Sequence, residues 1–255
     1  MAIDVTRATV AHVVLNRPER RNALDTESLR ALSGAFRNLG ADPDVRVIVV
    51  SGAGGHFCAG ADLAEVRQAD DMAARRAYFG GVAEVVRSMR ECAKPIIAAV
   101  EGYCLAGAMG ILAAADLAYA TVDAKFGLPE VQIGLFPMVV LAPLERLVGL
   151  RALTDLALTG RRIDALEAMR IGLLNAVVES GQLAETVAEK ASTLAGLSPF
   201  ILAMGKEALC EVPDLTLPSA LRYLQGMVSQ VASSEDGQEG VGAFLEKRKP
   251  QWLGR

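Results

Sequence analysis

Val45-Arg46-Val47-Ile48-Val49-Val50-Ser51 runs straight into Gly52-Ala53-Gly54-Gly55-His56-Phe57-Cys58-Ala59-Gly60-Ala61-Asp62-Leu63, and the reading of this stretch decides the fold. Val45 to Val50 is a β-branched run and predicts a strand buried on both faces, as strands of a largely parallel sheet are. A glycine-rich turn directly after such a strand lets backbone N–H groups approach a ligand that a side chain would obstruct. The turn is not a dinucleotide fingerprint, because Phe57 stands where the third glycine of GxGxxG belongs.

On the N-terminal side, Thr9 to Leu15 reads as another strand, stopped by Asn16-Arg17-Pro18. Asp25 is placed to cap a helix that carries Leu29, Leu32, Phe36 and Leu39 on one side and ends before Asp42-Pro43. On the C-terminal side, a helix from about Asp71 to Cys92 shows Val82, Val85, Val86 and Met89 on one face, and Lys94-Pro95 breaks it. Ile96 to Val100 is a short strand, Gly102 to Gly110 a second glycine-rich turn entering a helix, and Asp116 to Thr121 a further strand. Strands alternating with helices imply an α/β fold with right-handed crossovers. From Leu144 the chain reads as helical, with only Asn175 to Glu179 extended. The expected organisation is an α/β core over residues 1–195 and a C-terminal helical region over 196–255.

The bulk numbers narrow the function. With 52% hydrophobic and 22% charged residues, the chain predicts a substantial core rather than disorder. A net charge of -4 disfavours nucleic acid or an anionic membrane as partner, while leaving room for a small phosphorylated ligand. Cys58, Cys92, Cys104 and Cys210 form no CxxC or Cys/His spacing, so buried free thiols are expected and no metal site. Met1 to Arg17 is interrupted by Asp4, Arg7 and His12, unlike a secretory leader, and Gly102 to Ala115 is too short to span a bilayer; a cytoplasmic protein is expected. His12 and His56 receive no role.

Two glycine-rich turns on neighbouring strands can converge two N–H donors on one oxygen, the geometry of an oxyanion hole. Several separated blocks then match one family in order and spacing: Asn16-Arg17-Pro18 with Asn22-Ala23-Leu24, Phe57 to Leu63, Lys94 to Val100, Phe126-Gly127-Leu128-Pro129-Glu130 with Gly134, and Glu246-Lys247-Arg248-Lys249-Pro250 near Trp252. Over nearly its whole length the chain resembles the enoyl-CoA hydratase/isomerase (crotonase) superfamily. The resemblance implies an α/β fold with a crotonase-like spiral of ββα units and a C-terminal helical trimerisation region, in a homotrimer or a dimer of trimers. It implies an acyl-CoA substrate and no cofactor beyond its coenzyme A moiety. The N–H groups of Ala61 and Gly107 would hold the thioester oxygen, and Glu130 would carry protons. Arg21, Ala23, Ala59, Asp62, Leu63 and Lys247 would meet coenzyme A, with Arg20 beside them. Met109, Gly110, Leu135 and Met138 would line the acyl pocket.

Glu130 stands on its own reading as well, since it follows a proline-fixed turn among apolar neighbours, where burial raises a carboxyl pKa towards that of a proton shuttle. The chain departs from the resemblance at Gly110, where the family's hydratases carry a second glutamate, and at Phe136-Pro137-Met138-Val139-Val140, where many members have Pro-Gly-x-Gly-Gly. Isomerisation of a 3-enoyl to a 2-enoyl thioester needs one carboxylate, so it is the expected reaction. Hydration with an atypical site, decarboxylation, and acyl-CoA binding without chemistry are the alternatives.

Overall fold

The computed structural model describes residues 2–255; Met1, the first residue of the segment weighed as a leader, lies outside them. Nine strands are present among these residues: β1 (Ile3–Thr6), β2 (Val10–Leu15), β3 (Val47–Gly52), β4 (Ile96–Val100), β5 (Tyr103–Leu105), β6 (Leu117–Thr121), β7 (Lys125–Gly127), β8 (Arg162–Asp164) and β9 (Ala176–Val178). The α-helices are α1 (Thr26–Ala41), α2 (Leu63–Gln68), α3 (Met72–Glu91), α4 (Gly107–Ala114), α5 (Met138–Glu145), α6 (Leu150–Thr159), α7 (Ala165–Arg170), α8 (Leu183–Ala195), α9 (Pro199–Glu211), α10 (Leu217–Ser233) and α11 (Glu235–Leu245).

β3 is buried on both faces, as its composition predicts. Ile48 and Val50 join the main core with Phe36, Met89 and Ile96, while Val47 and Val49 pack with Ile97, Tyr119 and the α8 residues Leu183, Val187 and Ala191. The sheet runs β1-β2-β3-β4-β6-β9 and is parallel except for the β1–β2 pair. A second sheet, β5-β7-β8, pairs β5 with β7 in parallel and β7 with β8 antiparallel.

The expected Asp25 cap is in place, accepting from the Ser28 N–H at 2.7 Å, and Asp71 caps α3 in the same way through the Ala74 N–H at 2.7 Å. Several elements differ from the sequence reading. Gly102 to Gly110 is a turn, the strand β5 and only then a helix, and Arg162–Asp164 is a strand where only a connection between two helices was expected. A three-residue strand is too short for a period-2 signal and exists because its neighbours pair with it. β1 also went unread, and Met138–Glu145 forms a helix despite Pro143. No helix among the described residues is long and apolar enough to cross a membrane.

A buried cation ties the helical end to the α/β layer. Lys206 on α9 donates to the carbonyls of Met89 and Lys94 and, at 2.8 Å, to Asp116, whose carboxylate also accepts from the Ile96 N–H at 2.7 Å. Asp116 therefore serves the head of its strand rather than the chemistry. Lys206→Met leaves Asp116 without its counter-charge and two carbonyls without a donor, and is expected to cost about 3 kcal/mol in urea unfolding. Further along, Asp236 accepts from Ser198 Oγ and from the N–H groups of Leu253 and Gly254, strapping the C-terminal tail across α9 and α11.

Candidate functional site

Cys58 to Asp62 threads between two neighbours. On one side the Cys58 N–H donates to the Tyr103 carbonyl at 2.8 Å and the Leu105 N–H to the Cys58 carbonyl at 3.0 Å. On the other, the Leu24 N–H donates to the Gly60 carbonyl at 2.8 Å and the Asp62 N–H to the Leu24 carbonyl at 2.9 Å. This parallel bridge clasps the residues flanking Ala61, so Ala61 turns its own N–H away from Leu24, where no group of the described chain accepts it. Gly107 opens α4, and its N–H is one of the donors that a helix start leaves unpaired; it too meets no acceptor. Gly60 makes the approach of the two turns possible. Its φ is 103°, and a Cβ there would lie 2.7 Å from Ala106 Cβ and 3.0 Å from the Leu105 carbonyl oxygen.

Ala106, between these turns, holds φ 54° and ψ -126°, a conformation that suits glycine. Such strain costs about 1–3 kcal/mol, against about 0.4–1 kcal/mol of added unfolded-state entropy for glycine. Ala106→Gly is therefore expected to stabilise the fold by about 1 kcal/mol, measured by thermal or urea unfolding.

Ala61, Gly107 and Glu130 line one cavity of about 660 Å³. Glu130 sits in the short 3-10 turn Pro129–Ile133, which Gly134 closes in the left-handed region. Its carbonyl accepts from the Leu135 N–H at 3.0 Å, while its side chain points inward. Oε2 is buried with no hydrogen-bond partner, and burial pushes the carboxyl pKa above its ordinary value. Glu130 is the only carboxylate among the residues lining the cavity, and Arg162 the only cation.

Of the other expected residues, Ala59, Leu63, Leu135 and Met138 also line this cavity. Met109 and Gly110 do not; both are fully buried behind it in α4. A Cβ on Gly110 would lie 2.7 Å from Val140 Cγ1 and 3.2 Å from Val140 Cβ, so α5 occupies the space a longer side chain would need. Asp62 is engaged within the fold, capping α2 through the Ala64 N–H and pairing with Arg17 at 3.0 Å. Arg17 also binds the Ala23 carbonyl and Asp25. Arg21 lies outside the cavity with its guanidinium 5.5 Å from the Tyr103 ring centre, and Lys247 follows α11 with φ 57° away from the lining.

Sequence reasoning missed Tyr78, Phe79, Val82, Gln132, Ile133 and Arg162 in the lining. The α3 residues had a usable signal: Tyr78 and Phe79 stand four and three positions before Val82, on the helix face already read as apolar. Arg162 had none, since it reaches the cavity from β8, over the Tyr103 ring at 5.3 Å. His56 stacks on Tyr103 at 4.9 Å and its Nδ1 accepts from the Tyr103 N–H, a structural role. Cys58 and Cys104 are fully buried, and burial pushes the Cys58 thiol up to about 12, so neither is poised as a nucleophile.

The profile of the family described as Enoyl-CoA hydratase/isomerase matches residues 5–255. The short-chain-enoyl-CoA hydratase of Clostridium acetobutylicum is 34% identical over 94% of this chain and 92% of its own. The carnitinyl-CoA dehydratase of Proteus mirabilis is 34% identical over 98% of this chain and 97% of its own. The crystal structure of an enoyl-CoA hydratase from Mycobacterium smegmatis superposes with a TM-score of 0.96 at 32% identity, over 99% of each chain.

Proposed function

The chain belongs to the enoyl-CoA hydratase/isomerase family, an enzyme family acting on acyl-CoA thioesters, and we propose that it moves the double bond of a 3-enoyl-CoA to the 2,3 position with Glu130 as its single proton shuttle. The observation that carries this reading is Glu130, the only carboxylate lining the cavity, whose Oε2 is buried without a partner, while Gly110 behind the cavity is packed against Val140.

Glu130 as the carboxylate takes a proton from the α-carbon, and the electron pair moves into the thioester, placing negative charge on its oxygen. The Ala61 and Gly107 N–H groups accept that charge as hydrogen-bond donors, each worth about 3 kcal/mol in comparable sites. Protonated Glu130 returns the same proton to the γ-carbon, which leaves the double bond conjugated and the enzyme unchanged. Hydration asks for more, because a water must be held and deprotonated while a proton reaches the α-carbon. The names of the relatives favour hydration, which is the second reading.

Purified protein assayed with a 3-enoyl-CoA and, separately, a 2-enoyl-CoA decides between them through the absorbance of the conjugated thioester. Conjugation arising from the 3-enoyl substrate supports isomerisation. Rapid loss of conjugation from the 2-enoyl substrate sinks it in favour of hydration. Arg21 and Lys247 are proposed to meet the coenzyme A phosphates. Leu217, Leu221, Val228, Phe244 and Leu245, exposed on α10 and α11, support a subunit interface and with it the homotrimer or dimer of trimers.

A further inference from the structure

We propose that Tyr78 is a positioning residue for the oxyanion hole: its phenol fixes the Leu24 clasp that aims the Ala61 N–H into the cavity. The inference rests on the enolate chemistry above and adds a residue from a different element, α3, to it. Tyr78 is 4% exposed and donates its O–H to the Leu24 carbonyl at 2.6 Å. That same oxygen accepts the Asp62 N–H at 2.9 Å, and Leu24 donates in turn to the Gly60 carbonyl at 2.8 Å. One residue, Leu24, thus holds both neighbours of Ala61 through the peptide groups on its two sides.

The clasp is an isolated bridge between two irregular segments, with no sheet ladder to hold it in register. A hydrogen bond weakens steeply once its angle falls below about 120°, so a modest rotation of the Gly60–Ala61 peptide removes the Ala61 donor from its target. Tyr78 resists that rotation from the long helix α3. Phe79 packs edge-on against its ring, with centroids 5.3 Å apart and planes at 85°, which holds the rotamer. Burial keeps the phenol protonated, so it remains a donor. Arg17 braces the same clasp from the Asp62 carboxylate and the Ala23 carbonyl, while Tyr78 is the side chain that bonds the carbonyl of Leu24 itself.

The test is the absorbance of a bound, non-isomerisable conjugated acyl-CoA, whose band moves to longer wavelength in proportion to the pull on its carbonyl oxygen. Wild type and Glu130→Gln are expected to show the shift, because neither touches the clasp. Tyr78→Phe, which keeps the ring, is expected to lose most of it and to lower kcat about tenfold with KM within about twofold, the size of one ordinary hydrogen bond. Should that variant fold poorly, 3,5-difluorotyrosine at position 78 keeps the ring and strengthens the donor, and a longer-wavelength shift than wild type is expected. A full shift with unchanged kcat in Tyr78→Phe, or an unaltered band with difluorotyrosine, overturns the positioning role. A wild-type protein without any shift overturns the oxyanion hole itself, and the inference with it.

Discussion

Glu130→Gln is expected to lower kcat on a 3-enoyl-CoA by about 10⁴-fold, the upper end of what a general acid–base group supplies, because one side chain performs both proton transfers. Acyl-CoA affinity, read by calorimetry with a saturated thioester, is expected to survive, since the amide keeps the shape of the carboxyl group. The same substitution is expected to raise the melting temperature at neutral pH. Burial lifts the folded-state pKa of Glu130 above its ordinary 4.5, so the folded protein holds this proton more tightly than the unfolded chain. Its contribution to stability is therefore fully present below the ordinary carboxylate pKa and is lost as pH rises through the raised folded value. Above that window the ionised, unpartnered carboxylate is a cost that glutamine does not carry. The melting temperatures of the two proteins should converge near pH 4 and separate by pH 8; a variant less stable at pH 8 refutes the cost. In wild type, kcat should climb with pH through the raised pKa and then level, because the base must be ionised to begin the reaction.

Gly110→Glu, which places a carboxylate where the resemblance to the family's hydratases implies a second one, is expected to destabilise the protein by about 3–5 kcal/mol, the usual cost of an uncompensated buried charge. Even a methyl group at this position meets Val140 Cγ1 at 2.7 Å, and Val140 is itself 2% exposed. Against a typical stability of about 5–15 kcal/mol, such a loss should appear as poor soluble yield and a sharply lower urea midpoint. Opening space with Val140→Gly in the same chain should recover part of it. Additive costs from Gly110→Glu and Val140→Gly would show that the two positions do not share the space. Recovery of stability together with new hydration of a 2-enoyl-CoA would show that the pair, and not Gly110 alone, separates this site from a two-carboxylate one.

That pairing marks where reading the sequence stopped. The glycine at 110 and the bulky Phe136 to Val140 segment were both visible as departures, but as two separate ones. Only packing α4 on α5 puts Val140 into the space beside Gly110. Tyr78 is similar. Its place on the apolar face of α3 follows from a spacing of four before Val82, whereas its bond to Leu24, 54 positions away, follows from no local rule. Asp62 is similar as well: its place in the glycine-rich turn is read from the sequence, whereas its ion pair with Arg17, 45 positions away, follows only from the fold.

By itself, the sequence determined the family, the long strands and helices and the two glycine-rich turns, and it singled out Glu130 as the candidate proton shuttle. All of these are written in contiguous residues, as periodicity, caps or ordered motifs, and they persist however the elements pack. Tertiary structure decided which donors are left unpaired, which carboxylates are already engaged and where side chains have room. Those properties depend on pairs of groups far apart in the chain. Ala61 offers its N–H because Leu24 takes its neighbours, and a side chain at Gly110 would meet Val140 in the space beside it.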